Sequence, residues 1–173
     1  VPWRGKFATE LGGVLVTQAI HVHDLLASLV GPAAAVNCFK TTRVNAIEVE
    51  DCAVASLRLA DGSLVSLAAT LGAARQSTRL HMHFEHATIE RDCLDDDSTR
   101  PADEPWIVLP KSDEAGRAIG KVMDEVAPQG RWFERQFELF HKAIADREPL
   151  PITLDDARAA LELVTAMFES ADT

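Results

Sequence analysis

Glu48 to Gly72 read "EVEDCAVASLRLADGSLVSLAATLG". This stretch decides the fold class. It reads as two strands joined at Asp61-Gly62, because an Asp-Gly pair flanked by apolar and β-branched residues is a strong hairpin signal. On its N-terminal side "AAAVNCFKTTRV" is a further strand candidate. On its C-terminal side comes "STRLHMHFEHATIERD". There Leu80, Met82 and Phe84 share one face, and Arg79, His81, His83 and Glu85 take the other. A turn near His86-Ala87 folds Thr88 to Arg91 back as another strand, and "PWIVLPK" offers one more. Consecutive strands with hairpin turns predict an antiparallel or mixed sheet in an α+β domain. The alternating βαβα rhythm of a doubly wound nucleotide-binding domain is missing. So is any GxGxxG or GxxxxGK[ST] phosphate loop.

Helices are expected on either side of this β-rich centre. The first ten residues read as a loop or short strand. From Val14 to Val30 the pattern is helical, and Gly31-Pro32 stops it. Asp92 to Glu104 is acidic, rich in turn formers, and reads as a solvated loop. Asp113 to Val126 predicts a modest helix. Gly130 to Asp146 predicts a better one, with Phe133, Phe137, Phe140 and Ile144 near helical spacing. "REPLPI" breaks it. Thr153 opens the last helix, where Thr153 and Asp156 fit a capping pattern. Leu154, Ala157, Leu161, Val164 and Phe168 then form one stripe.

The 173 residues fit one domain, 1–173, with a sizeable core. Hydrophobic residues at 47% and charged residues at 25% are ordinary for a soluble globular protein. The net charge of -10 argues against a nucleic-acid surface. Cys38, Cys52 and Cys93 are odd in number and widely spaced, which suggests neither a zinc ribbon nor a disulfide framework. A reducing, cytoplasmic setting is the expectation. No apolar run reaches the roughly 18 residues of a membrane span, so no membrane is expected among the partners. There is no initiating Met, and the chain reads as a piece of something longer.

The chemistry-bearing residues cluster in "GGVLVTQAIHVHDLL", Gly12 to Leu26. On a continuous helix Thr17, His21 and Asp24 share a face, flanked by Gln18. An imidazole beside a carboxylate is a proton donor or acceptor near neutral pH. Equally, it is a core or rim histidine tied to Asp24 by a hydrogen bond, and spacing alone leaves both readings open. A metal site is a third reading, from His21-x-His23 with His81-x-His83 and His86. On a strand His81 and His83 point the same way, but on a helix His21 and His23 diverge by about 200°. No metal ligand set is therefore assigned. The Arg79, His81, His83, Glu85 face is either solvated or contacts another subunit. Asp95, Asp96 and Asp97 fall in the acidic loop and read as a solvated charge run.

"PWRGKFATELGGVLVTQAIHVHDLL" resembles the start of the C-terminal domain of the Gfo/Idh/MocA oxidoreductases, the glucose-fructose oxidoreductase and inositol dehydrogenase family. Trp3, Arg4 and Gly5, then Gly12 and Gly13, then His21 and Asp24 stand in the family's order. The resemblance continues through Val49, Glu50 and Asp51 and the glycine-turned hairpin, through "FEHATIE", and through "PITLDDARAALELVTAMFESA". It implies an open, mostly antiparallel β-sheet with helices packed on one face, a dihydrodipicolinate-reductase-like C-terminal domain. It also implies a separate N-terminal Rossmann domain binding NAD or NADP, and a homodimer or homotetramer formed through the open sheet face.

Carried over residue by residue, His21 matches the family's active-site histidine, beside the substrate oxygen whose carbon exchanges hydride with the nicotinamide. Gln18 and Asp24 lie within reach of sugar hydroxyls, and Trp3 and Arg4 border the same cleft. Thr17 stands where the family often has an aspartate. A threonine hydrogen-bonds substrate but cannot serve as a carboxylate base. The family's catalytic lysine lies in a Glu-Lys-Pro-like motif of the Rossmann domain, and these 173 residues contain no such motif. The resemblance thus implies the substrate-binding and oligomerisation domain of an NAD(P)-dependent oxidoreductase on a sugar or polyol, inactive when isolated. The alternative is a family member without catalysis, kept as a binding or regulatory module.

Overall fold

The computed structural model describes residues 3–93, 106–125 and 132–173. Its elements, in chain order, are α1 (Phe7–Glu10), α2 (Val14–Thr17), α3 (Ile20–Val30), β1 (Ala33–Thr41), β2 (Cys52–Leu59), β3 (Leu64–Thr70), β4 (Thr78–His83), β5 (Ala87–Cys93), β6 (Ile107–Pro110), α4 (Asp113–Glu125), α5 (Trp132–Asp146) and α6 (Leu154–Ala171). The α+β class and the antiparallel pairing expected from the hairpin signals are both present. The strands form two three-stranded sheets, β1-β2-β3 and β4-β5-β6. They belong to two compact units, Val1–Ala74 with Leu154–Thr173, and Arg75–Thr153. Among the described residues no single helix is long and apolar enough to cross a membrane.

In the first unit β2 is the central strand, antiparallel to β1 and to β3. Its side chains alternate strictly. Ala53, Ala55, Leu57 and Leu59 are buried, while Val54, Ser56 and Arg58 are exposed. The hairpin turn follows the Asp-Gly signal. Gly62 takes φ +90, and the Asp61 carboxylate accepts the Ser63 N–H at 2.9 Å. Helix α6 closes the inner face. Leu163, Val164 and Met167 pack with Leu15, Cys38, Ala55 and Leu57. Each fully buried Leu or Met side chain in such a core contributes roughly 1.5–3 kcal/mol. The helix is also pinned along β1. The Ser170 hydroxyl accepts the Cys38 N–H at 3.0 Å, and Lys40 pairs with Asp172 and lies 5.1 Å over the Phe168 ring. The outer face carries exposed Phe39 and Val54, which are cross-strand partners.

In the second unit β5 is central, between β4 and β6. Arg91 is buried on β5, with its guanidinium 5.9 Å over the Trp106 ring and donating to Cys93 Sγ at 2.6 Å. The β4 histidines point to the exposed face and are occupied across the ladder. His81 lies 3.0 Å from the Asp92 carboxylate, and His83 3.3 Å from the Thr88 hydroxyl.

Four details differ from what the sequence predicts. Phe7–Glu10 is a single helical turn rather than loop or strand, ended by Leu11 at φ 62. β5 runs on through Asp92 and Cys93, which the reading placed in the acidic loop. The remainder of that loop, with Asp95, Asp96 and Asp97, lies outside the described residues, as do the starting residues expected for α5. The third is in α6, where Leu154 and Leu161 of the expected stripe are exposed and the helix instead buries Ala160, Leu163, Val164 and Met167. The fourth difference is a break in the helix expected over Val14–Val30. α2 ends at Thr17 and α3 begins at Ile20, with Gln18 between them at φ -126. The Ala19 N–H bonds back to the Val14 carbonyl, a wide i→i−5 turn, and the segments Phe7–Thr17 and Ile20–Val30 meet at a 47° bend.

Candidate functional site

The glycine pair begins the site. Gly13, Val14 and Leu15 present three consecutive N–H groups, and all three end on Glu50. Its carboxylate accepts the Gly13 N–H at 2.8 Å and the Leu15 N–H at 3.1 Å, and its backbone carbonyl accepts the Val14 N–H at 2.9 Å. Residue 13 has to be glycine, because a Cβ there would sit 1.8 Å from the Glu50 carbonyl oxygen. This anchor sets where α2 starts, and through the wide turn it sets the course of α3.

Thr17 is half-buried, and its hydroxyl donates to the Gly13 carbonyl at 2.8 Å. That leaves its oxygen as an acceptor only. Gln18 is exposed at the break. His21 is exposed on the first turn of α3. Because the helix is broken between them, Thr17 and His21 do not share the continuous face that their spacing predicts. His21 and Asp24 remain one turn apart on α3, both exposed. Among the described residues no hydrogen bond or ion pair joins His21 to Thr17, Gln18 or Asp24, so the reading of a histidine tied to Asp24 does not describe this arrangement.

His23 takes the opposite role. It is 4% exposed, its Nε2 finds no partner among the described residues, and burial pushes its pKa down to about 4. At neutral pH it is an uncharged core residue. Helical divergence alone anticipates the split between an outward His21 and an inward His23.

Trp3 and Arg4 lie together. Trp3 is half-exposed, and the Arg4 guanidinium sits 5.4 Å over its ring, a cation–π contact. Asp24 lines a cavity of about 390 Å³ formed with residues of α3, β1, β2 and α6. Its walls are largely apolar, from Leu26, Val30, Leu57 and Leu163, with Asp156 and Glu162 adding carboxylates.

The sequence reading gave Glu50 and Asp51 no chemical role. Asp51 is fully buried and accepts N–H groups from Arg43, Val44 and Asn45 at 2.8, 2.8 and 2.7 Å. These bonds, that of Asn45 foremost, hold its carboxyl well below the usual carboxylate range. Two adjacent acids between an apolar stretch and a strand were the available signal, since buried carboxylates need several donors. Among the described residues no group of three His, Cys, Asp or Glu side chains is placed to hold a metal ion.

The family model for the GFO/IDH/MocA C-terminal domain matches residues 1–90, the half of the chain that carries the anchored glycines, His21 and the hairpin. The chain belongs to the GFO/IDH/MocA family. Solved structures of similar fold include the WlbA dehydrogenase from Bordetella pertussis in complex with NADH and UDP-GlcNAcA. It is 23% identical at a TM-score of 0.74, over 99% of this chain and 46% of that one. A levoglucosan dehydrogenase in complex with NADH and levoglucosan is 20% identical at a TM-score of 0.69, over 98% of this chain and 51% of that one. The aldose-aldose oxidoreductase from Caulobacter crescentus, complexed with glycerol, is 19% identical at 0.72, over 98% and 48%. The chain thus spans about half the length of these GFO/IDH/MocA-like structures. No curated protein matches it.

Proposed function

We propose that this chain is the C-terminal domain of an NAD(P)-dependent oxidoreductase acting on a sugar, polyol or sugar-derived substrate, in which it binds substrate and forms the oligomer interface. The observation that carries the reading is an exposed His21 on a helix whose entry is fixed by Glu50, within the part of the chain that matches the family.

The residues present do not fit the cofactor itself. The chain has no glycine-rich phosphate loop, and its exposed guanidinium near the site, Arg4, is stacked on Trp3. NAD or NADP therefore belongs to a separate Rossmann domain, which also holds the principal acid-base lysine. What this domain contributes is substrate handling. The imidazole of His21 hydrogen-bonds the substrate hydroxyl oxygen and assists the proton that leaves it for the lysine as that oxygen becomes a carbonyl. Gln18 and Asp24 hydrogen-bond neighbouring hydroxyls. Trp3 offers an apolar ring face to the sugar, and Arg4 suits an acidic group on it.

The outer face of β1-β2-β3 carries Phe39 and Val54 in register and is the proposed interface of a homodimer or homotetramer. A cytoplasmic location is part of the same proposal. A second reading, a non-catalytic binding or regulatory member, is favoured by one observation. The hydroxyl of Thr17, which stands where the resemblance often implies an aspartate, has its proton committed to the Gly13 carbonyl.

The test is a screen of the full-length protein for nicotinamide reduction across polyols, aldoses and sugar acids, with NAD and NADP in parallel. The enzyme reading expects turnover with at least one substrate. Sugar binding by calorimetry without turnover across the panel decides for the binding module.

A further inference from the structure

We propose that Glu50 and Asp51 are positioning residues, adjacent carboxylates that fix, one each, the two chain segments carrying the candidate site residues. The pair sits just before β2. Asp51 is locked between the neighbouring strands, since its N–H donates to the Thr41 carbonyl at 3.1 Å and its carbonyl accepts the Leu71 N–H at 2.8 Å. The Glu50 side chain reaches the Gly13–Leu15 turn, and the Asp51 side chain reaches the loop that follows β1.

Each carboxylate gathers a run of amides. Glu50 takes 13 and 15 on its two oxygens, with 14 on its carbonyl. Asp51 takes 43 on Oδ1, then 44 and 45 on Oδ2, with the Asn45 side-chain amide at 3.2 Å. The loop that Asp51 organises then holds the N-terminal segment. The Glu48 N–H donates to the Gly5 carbonyl at 2.7 Å, and Gly5 packs so closely on Ile47 that a Cβ at residue 5 would lie 2.3 Å from its Cγ2. Gly5 is next to Trp3 and Arg4. One rigid point on the sheet thus sets both the His21 segment and the Trp3-Arg4 segment, and so the distance between them. The role in turnover rests on the oxidoreductase reading above, but the mechanical coupling does not.

The experiment compares wild type, Glu50→Gln and Asp51→Asn by residue-resolved amide hydrogen exchange and ¹H–¹⁵N spectra. Losing a hydrogen bond to a charged acceptor corresponds to roughly tenfold or more in local opening. Glu50→Gln is expected to speed exchange by that factor from Gly13 into the first turn of α3, while β2 and β3 stay protected. Asp51→Asn is expected to do so at 43–45 and at Glu48, leaving 13–15 as in wild type. In the full-length protein Glu50→Gln should lower kcat through His21, and Asp51→Asn should raise KM through Trp3 and Arg4. Inactive wild type would remove the functional reading, while the exchange pattern still decides the positioning. Even loosening of the whole unit by either variant, or unchanged exchange in its own segment, overturns the proposal. If Glu50→Gln does not fold, an acid titration of wild type decides. The Gly13 and Leu15 amides must shift together with the Glu50 carboxylate, and independent shifts overturn it.

Discussion

Replacing Gly13 by alanine tests the anchor on which the site depends. The added Cβ would sit 1.8 Å from the Glu50 carbonyl oxygen, 2.7 Å from its carbonyl carbon and 2.9 Å from its nitrogen. All three are backbone atoms of a residue tied into the sheet, so no side chain can swing aside. Overpacking of this kind costs about 1–3 kcal/mol. The turn must also retreat from the Glu50 carboxylate, weakening the Gly13 and Leu15 bonds, each worth roughly 1.5–3 kcal/mol with a charged acceptor. These contributions share one displacement and do not add in full. The expected loss is about 4 kcal/mol, or roughly 8–16 °C in Tm for a chain of this size. Urea unfolding followed by circular dichroism measures it, with the slope checked for constancy. Gly120→Ala serves as the control. Nothing lies within 4 Å of a Cβ there, and the position is inside α4, so a gain of about 0.5–1 kcal/mol is expected. A Gly13→Ala protein within about 1 kcal/mol of wild type would mean that the Glu50 backbone does not confine residue 13.

Other outcomes follow from the same geometry. His23 is held neutral in the fold with its pKa at about 4 against 6.5 for the free side chain. The unfolded chain therefore takes up the proton first, and stability falls as pH drops below about 6.5 towards 4. The loss between about pH 7 and pH 5 is about 2 kcal/mol. Urea midpoints at the two pH values measure it, and His23→Gln should flatten the dependence. Phe39→Glu, on the exposed outer face of β1, is expected to leave Tm within a few degrees of wild type and to dissociate the proposed oligomer in sedimentation; an unchanged mass removes that face as the interface. Met167→Ala, at a fully buried contact of α6 with the sheet, should cost about 2–5 kcal/mol in the same urea assay.

The parts of the fold that were legible in the sequence are those governed by local chemistry. Asp61-Gly62 set its turn because glycine tolerates positive φ and aspartate bonds two residues on. Gly31-Pro32 ended α3 where it should. The outward His21 and inward His23 followed from helical divergence. The break at Gln18 was not legible, since "VLVTQAI" is compatible with an unbroken helix. It accompanies an anchor at Glu50, 37 positions away from Gly13. For the same reason Glu50 and Asp51 read as an ordinary acidic pair. Their partners are loop and turn amides, which have no side-chain signature, and only the folded chain shows that two carboxylates gather five of them. Local spacing placed Thr17 beside His21 on a helix that turned out to be two, and the resemblance then singled out His21.

In the proposed function this domain presents His21 to a sugar or polyol oxygen during nicotinamide-dependent oxidation. Steady-state reduction of the nicotinamide by the full-length protein, wild type against His21→Ala, tests it most directly. Substrate-dependent turnover is expected in the wild type and a kcat lower by roughly 10²–10⁴ in the variant, with Tm unchanged because the side chain is exposed. Equal kcat in the two proteins, or no sugar-dependent reduction by the wild type, would contradict it.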